Sequence, residues 1–172
     1  MELIEPAADR HRAWLEFRDE WAGEQLHGTG VSADYDVSTP DGFAAWVAYL
    51  RRQSDMSVPV AEGRVHADYW WIAEGDEILG AITLRHRLND FLAEAGGHIG
   101  YGVRPSARRR GLAGWALGQV LQRAKERGLD RVLITCEDGN IGSARTIERN
   151  GGVLEDVRDT VLGRTRRYWI TL

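Results

Sequence analysis

Apolar side chains follow two distinct rhythms along this chain. Between Ala8 and about Gln25, Trp14, Phe17 and Trp21 recur at spacings of three and four, which predicts an amphipathic helix. A second helix is expected to open at Thr39 as N-cap, with Pro40 at the first helical position, where its missing N–H costs nothing. It carries Phe43, Trp46, Val47 and Leu50 on one side and ends before Met56. Met1–Glu5 reads as a short first strand.

The rhythm then changes. Asp68–Glu74 and Glu77–Arg87 read as strands around Gly75-Asp76, a two-residue hairpin signal. After the loop LNDFLAEAGG, a third strand is expected at His98–Val103, where Ile99, Tyr101 and Val103 alternate with His98, Gly100 and Gly102. Gly111–Arg127 reads as a helix whose apolar stripe is Ala113, Ala116, Leu117, Val120, Leu121 and Ala124, stopped by Gly128. Arg131–Cys136 reads as a buried strand and Ile141–Asn150 as a short helix before Gly151-Gly152. Val153–Asp159 and Arg164–Thr171 read as the last strands. Helices, then antiparallel strands, then strand–helix–strand–helix–strand make an α/β fold of the α+β type, with a mixed sheet and a ligand at one strand-to-helix crossover. No repeat or linker divides it, so 1–172 is read as one domain, helical to residue 60 and sheet-based over 61–172.

Composition narrows the chemistry. The net charge of −4 argues against a dedicated nucleic-acid binder. The single cysteine, Cys136, excludes an intramolecular disulfide and a cysteine-based zinc cluster. Neither a signal-peptide run nor an apolar stretch of membrane-spanning length occurs, so the chain is expected to be cytoplasmic, without a membrane partner. Charge is distributed unevenly: residues 1–50 hold ten acids against three arginines, whereas 104–131 hold eight basic residues against two acids.

The basic cluster falls between the third strand and the long helix, in Val103-Arg-Pro-Ser-Ala-Arg-Arg-Arg-Gly-Leu-Ala-Gly114. A helix start offers unpaired N–H groups and the positive end of the helix dipole. Gly111, Ala113 and Gly114 let a ligand approach the main chain, and Arg108, Arg109 and Arg110 add charge and bidentate donors. An anion cradle is the expectation. It is neither a P-loop nor a dinucleotide fingerprint, since both glycine patterns are absent.

The pattern present, R-x-x-G-x-A from Arg108 to Ala113 after a Val103-Arg-Pro turn, resembles the cofactor signature [QR]-x-x-G-x-[GA] of the GNAT acyltransferase superfamily. The segments LRHRLNDFLAEAGGHIGYGVRPSARRRG, LITCEDGNIGSARTIERNGGVLE and RRYWI are similar, in order, to a bacterial group of predicted acetyltransferases. The resemblance implies a mostly antiparallel sheet flanked by helices, with a splayed parallel strand pair that holds acetyl-CoA. By it, Arg109–Gly114, including Leu112, receive the pyrophosphate, and Arg108 belongs with them to the cofactor-binding residues. Tyr101, Gly102 and Val103 hold the pantetheine, and the Val103 N–H meets the thioester carbonyl. Gly100 and Gly102 remove side chains where that extended arm must approach.

Asn140 and Ser143 match the family's N-x-x-S element, by which Asn140 contacts the pantetheine and Ser143 approaches the leaving sulfur, while Asn140 is also suited to N-cap the following helix. Ile147 stands where many members carry a tyrosine that protonates the thiolate. His98, His86 and Glu137 are the candidates for a base that deprotonates the acceptor amine. Arg85, His86 and Asn89, with His98, are the candidate acceptor-side residues. The expected activity is transfer of acetyl to a primary amine, on a small molecule or peptide, by direct attack in a ternary complex. The alternative is an acyl-CoA sensor without turnover. No metal is expected, and an edge strand near the C-terminus leaves a homodimer open.

Overall fold

The computed structural model describes residues 1–172. Seven strands and four α-helices appear: β1 (Glu2–Ile4), α1 (His11–Asp19), α2 (Pro40–Arg52), β2 (Ala67–Glu74), β3 (Glu77–Arg85), β4 (Ile99–Val103), α3 (Leu112–Glu126), β5 (Arg131–Glu137), α4 (Ile141–Arg149), β6 (Val153–Thr160) and β7 (Gly163–Thr171). The strands form two antiparallel sheets, ordered β1-β2-β3-β4 and β5-β7-β6. The mixed, mostly antiparallel sheet expected from the sequence is therefore divided where β4 meets β5.

That division has a single fastening. The His98 N–H donates to the Leu133 carbonyl at 2.7 Å, and the His98 ring Nδ1 accepts from the Leu133 N–H at 2.9 Å. No ladder continues beyond it. The chain enters β4 through Gly97 with φ +65°, and a Cβ there would lie 2.6 Å from the Leu133 carbonyl oxygen. Only glycine supplies both that conformation and that closeness.

Each face of the β1–β4 sheet buries its own core. On one face Trp70, Ile72, Ile82, Leu84 and Ile99 pack against Leu112, Ala116, Leu117 and Val120 of α3 and Ala144 and Ile147 of α4. On the other, Trp71, Ile78 and Ala81 meet Trp14, Phe17 and Trp21 and, from α2, Phe43, Trp46, Val47 and Leu50. Most of the tryptophans are thus core. Trp14 sits at the centre of the second cluster, with ring centroids 4.5 Å from Trp46 and 5.6 Å from Trp71. α2 starts as its sequence specifies, with Thr39 Oγ1 accepting from the Gly42 N–H at 3.1 Å.

α1 is shorter than its periodicity suggests. It stops at Asp19 because the chain turns sharply through Ala22 (φ 47°) and Gly23 (φ 87°). From there a loop runs across β3 and β4, tied down where Thr83 Oγ1 donates to the Gly28 carbonyl at 2.7 Å. This contact corrects the reading of Gly102. A Cβ at Gly102 would fall 2.7 Å from the Trp21 ring and 2.9 Å from the His27 carbonyl, so its missing side chain admits this loop. At Gly100 the nearest side-chain atom is 3.7 Å away, ordinary contact distance.

Gly102→Ala should therefore destabilise the fold by about 1–3 kcal/mol, the usual cost of overpacking, while Gly100→Ala stays close to wild type. Urea unfolding midpoints of the two variants check the contrast, and equal midpoints would refute the close approach at Gly102.

Candidate active site

The seam opens into a cleft of about 890 Å3 between β4, the start of α3 and the start of α4. Its first wall is the free edge of β4. The Arg104 N–H reaches back to Leu79 of β3 at 2.9 Å. In an antiparallel pair residues alternate between facing the partner and facing away. Tyr101 and Val103 therefore turn their main-chain groups from β3 toward the open side, and both line the cleft with Gly102. The Val103 carbonyl already accepts from Arg108 Nε at 3.1 Å.

The second wall is the N-terminus of α3. Gly111 caps it in the left-handed conformation (φ 80°) without any side-chain hydrogen bond, so the N–H groups of the first turn have no side-chain acceptor. Arg109 is also left-handed (φ 63°), a conformation that costs a non-glycine residue about 1–3 kcal/mol. Alternating handedness in a short loop turns N–H groups into an anion-binding concavity. Gly111, Leu112, Ala113 and Gly114 all line the cleft. A Cβ at Gly111 would meet nothing within 4 Å, so this approach is open. The geometry fits a phosphate group.

The three arginines of the loop diverge. Arg109 faces the cleft and makes no ion pair. Arg108 lines the cleft but is held by Glu24 at 3.1 Å and lies over the Trp21 ring. The Arg110 side chain points elsewhere, to Glu74 at 2.9 Å, which corrects its inclusion among the phosphate-facing side chains. Arg145 and Arg149, one turn apart on α4, also line the cleft. The sequence reading missed them, although their i, i+4 spacing shortly after Ser143 was visible.

The third wall is the start of α4. Asn140 Oδ1 accepts from the Ser143 N–H at 3.0 Å, an N-cap that leaves its amide NH2 to donate. The Ser143 hydroxyl lies 2.8 Å from the Tyr101 hydroxyl across the cleft. Burial pushes the Tyr101 phenol up to about 12, against the lowering effect of its Ser143 hydrogen bond. Burial also raises the neighbouring Cys136 thiol, which keeps it protonated and poorly nucleophilic. Ile147 is wholly buried among core side chains.

Four sequence candidates lie away from the cleft lining, each for a structural reason. His98 is only 6% exposed and spends its ring nitrogen on the seam. Burial and the nearby Arg85 charge lower it to about 4, so it is neutral at physiological pH and locked as an acceptor. Arg85 donates through Nη1 to the Gly96 and Gly97 carbonyls at 3.1 and 3.0 Å, holding the turn before β4, and burial lowers its pKa. Asn89 accepts from the Leu92 N–H and donates to the Gly63 carbonyl, both at 2.9 Å, so it shapes the same loop. His86 Nε2 sits 3.1 Å from Asp68 on the β2–β3 hairpin, and its Nδ1 lies 3.3 Å from the Met56 sulfur. Arg127 grips Asp68 with two 2.7 Å bonds. Together these residues tie loops and strands instead of facing an acceptor.

In their place the α1–α2 loop brings Trp21, Glu24, Gln25 and His27 to the cleft, and β5 ends there with Glu137. Glu137 is the base candidate of the sequence that does reach it. The loop is latched by Glu20, which accepts from the Ser106 N–H and hydroxyl at 3.1 and 3.0 Å. Burial raises the Glu20 carboxyl pKa, but Ser106 and Arg104 together outweigh it and hold the pKa low. No three His, Cys, Asp or Glu side chains gather where they could hold a metal, and no helix is long and apolar enough to cross a membrane.

A strand edge left unpaired beside an uncapped helix start can take an extended ligand that ends in an anionic group. The chain belongs to the acetyltransferase (GNAT) family, whose model matches residues 14–152. No curated protein matches it by sequence. Its fold is similar to that of the microcin C7 self-immunity acetyltransferase MccE in complex with acetyl-CoA and AMP, at 17% identity and TM-score 0.69, covering 99% of this chain and 91% of that one. The ribosomal-protein-S5-alanine acetyltransferase of Vibrio fischeri is similar at 16% identity and TM-score 0.73, covering 99% and 91%. Mycobacterium smegmatis RimJ in complex with a CoA disulfide is similar at 18% and 0.72, covering 98% and 80%.

The His98 lock has a pH signature. Its pKa is lower folded than unfolded, so stability is full above the unfolded value near 6.5 and declines toward about 4. The slope is at most about 1.4 kcal/mol per pH unit. His98→Asn, whose Oδ1 can accept the same N–H, should stay folded and lose this component. His98→Ala should cost about 1–3 kcal/mol, because the Leu133 N–H is orphaned. Urea titrations from pH 7.5 to 4.5 measure both effects, and parallel curves for wild type and His98→Asn would disprove the assignment.

Proposed function

We propose that this protein is an acetyl-CoA-dependent N-acetyltransferase that passes acetyl to a primary amine by direct attack in a ternary complex. The observation that carries this is the free edge of β4 meeting the uncapped start of α3 in one cleft. The N–H groups from Gly111 to Gly114, with the Arg109 guanidinium, receive the pyrophosphate. Arg145 and Arg149 supply further charge for the remaining phosphate. The pantetheine lies along β4 as an added strand, its amides pairing with the outward groups of Tyr101 and Val103. A free N–H of that edge, that of Val103 in the sequence reading, takes the developing oxyanion.

The acceptor enters beside the α1–α2 loop. An alkyl amine with pKa of about 10.4 must lose a proton before attack. Of the basic groups lining the cleft, Glu24 is engaged by Arg108, which leaves His27 and Glu137 for this work. The amine nitrogen forms the new bond to the carbonyl carbon, the C–S bond breaks, and the departing thiolate receives the Ser143 hydrogen bond. A thiolate leaves far more readily than an alkoxide, so a buried isoleucine at 147 is compatible with turnover. The acidic side chains at the mouth favour a cationic amine, and the Vibrio fischeri relative, a ribosomal-protein-S5-alanine acetyltransferase, supports a peptide or small-molecule amine. Ile147 also keeps the sensor alternative in view, since it offers no proton.

Acetyl-CoA should raise the melting temperature, as any ligand of the native state does. Absence of a shift at millimolar concentration would overturn both readings. Thiol release from acetyl-CoA across a panel of amines then separates enzyme from sensor. Arg109→Ala should weaken CoA by about tenfold to a hundredfold, the worth of a charge-assisted bond, whereas Arg110→Ala leaves affinity unchanged. Equal losses in the two variants, read by calorimetry, would contradict the placement of these side chains.

A further inference from the structure

The hydroxyls of Tyr101 and Ser143 form the only side-chain bridge by hydrogen bonding between β4 and α4. We propose, on the basis of the acetyl-CoA reading above, that Tyr101 is a positioning residue that fills the acceptor side of the Ser143 hydroxyl and so aims its O–H at the sulfur of the acyl carrier.

The two oxygens are 2.8 Å apart, and the Tyr101 hydroxyl is also 3.4 Å from the Ser143 carbonyl. A serine hydroxyl has one proton and two lone pairs, and its rotor turns to suit its neighbours. Left alone, Ser143 could back-bond to a carbonyl of its own helix, as Thr146 does to Gly142 at 2.9 Å. We take the phenol as the donor of the pair, which removes that freedom. The Oγ–H then has the cleft before it, which Tyr101 and Ser143 both line, with the Cys136 thiol as its neighbour. Burial keeps the Tyr101 phenol protonated, so it retains a proton to donate.

Its ring packs against the core shared by β4, α3 and α4, and it is carried on a strand paired with β3 through Ile82. Ser143 is fixed too, because its N–H is bound by Asn140 within the helix cap. Two rigid elements thus present one hydroxyl pair, and no large rearrangement is needed to use it. When the C–S bond breaks, the thiolate gains the Ser143 O–H hydrogen bond. The thiol proton comes finally from the ammonium formed at the attacking nitrogen, by way of the base and solvent, so Tyr101 begins and ends protonated.

The test compares binding of CoA with desulfo-CoA by calorimetry in alkaline buffer, where a substantial share of the CoA thiol is ionised. Wild type should prefer CoA by about threefold to tenfold, the worth of one oriented hydrogen bond. Tyr101→Phe, which keeps the ring, should bring that ratio toward one and leave desulfo-CoA affinity unchanged. Ser143→Ala should do the same, and the double variant should lose no more than either single one. In turnover, Tyr101→Phe should lower kcat about tenfold with the KM for acetyl-CoA unchanged. A CoA preference that survives in Tyr101→Phe overturns the proposal, as do single losses that multiply in the double variant or an equal weakening of both ligands. Wild type binding CoA and desulfo-CoA equally also overturns it, while the acetyl-CoA reading stands. Wild type binding neither overturns the acetyl-CoA reading itself, and this proposal with it.

Discussion

Two neighbouring strands that hydrogen-bond at one end and nowhere else are the constraint on which this molecule depends. Buried main-chain N–H and C=O groups must find partners, so an unladdered strand edge in a fold interior is costly unless something else pairs with it. His98 joins β4 to β5 with two hydrogen bonds, one from its main chain and one to its ring. Beyond it the edge of β4 is left to a ligand. The Gly97 turn, the Arg85 clamp on Gly96 and Gly97, and the Asn89 loop contacts all serve to place His98 there. Residues that resemble acceptor-side machinery in the sequence turn out to be the joinery that keeps the cleft open.

The opposed charges of the chain resolve in the same way. The acids of the α1–α2 region and of β2 pair with the basic loop before α3 through Glu20–Arg104, Glu24–Arg108 and Glu74–Arg110. Exposed pairs contribute little stability singly. Their effect here is geometric: the first two latch the α1–α2 loop to the loop before α3, and the third ties that loop to β2. Two walls of the cleft are therefore held in one register. Arg109, Arg145 and Arg149 are left facing the cleft without acidic partners, a smaller and better-placed positive patch than the run of arginines suggests.

Much of this was legible along the chain. The helical stripe of α3, the Thr39-Pro40 start of α2 and the Gly75-Asp76 hairpin are local signals, because a repeating pattern or a turn residue acts on its immediate neighbours. The glycine-bearing helix start could be read as an anion cradle for the same reason. Histidine roles could not be read this way. His98 and His86 carry the same chemistry, and only burial and partners decide that one is the acceptor of a main-chain N–H and the other a partner of Asp68. Nor could the loop after α1 be foreseen at the cleft, since Trp21 and His27 arrive there through contacts with Gly102, distant in sequence.

The sequence by itself determined the periodicities, the turn and cap residues, the family signature from Arg108 to Ala113 and the surplus of acid opposite base, because each is a property of adjacent or regularly spaced side chains. The tertiary structure alone decided which arginine faces the phosphate cradle, which glycine admits a loop instead of a ligand, and that a tyrosine of β4 stands against a serine of α4. Those outcomes come from strands and helices brought together across long separations, where burial and the competition for hydrogen-bond partners select one role among the several each side chain could fill.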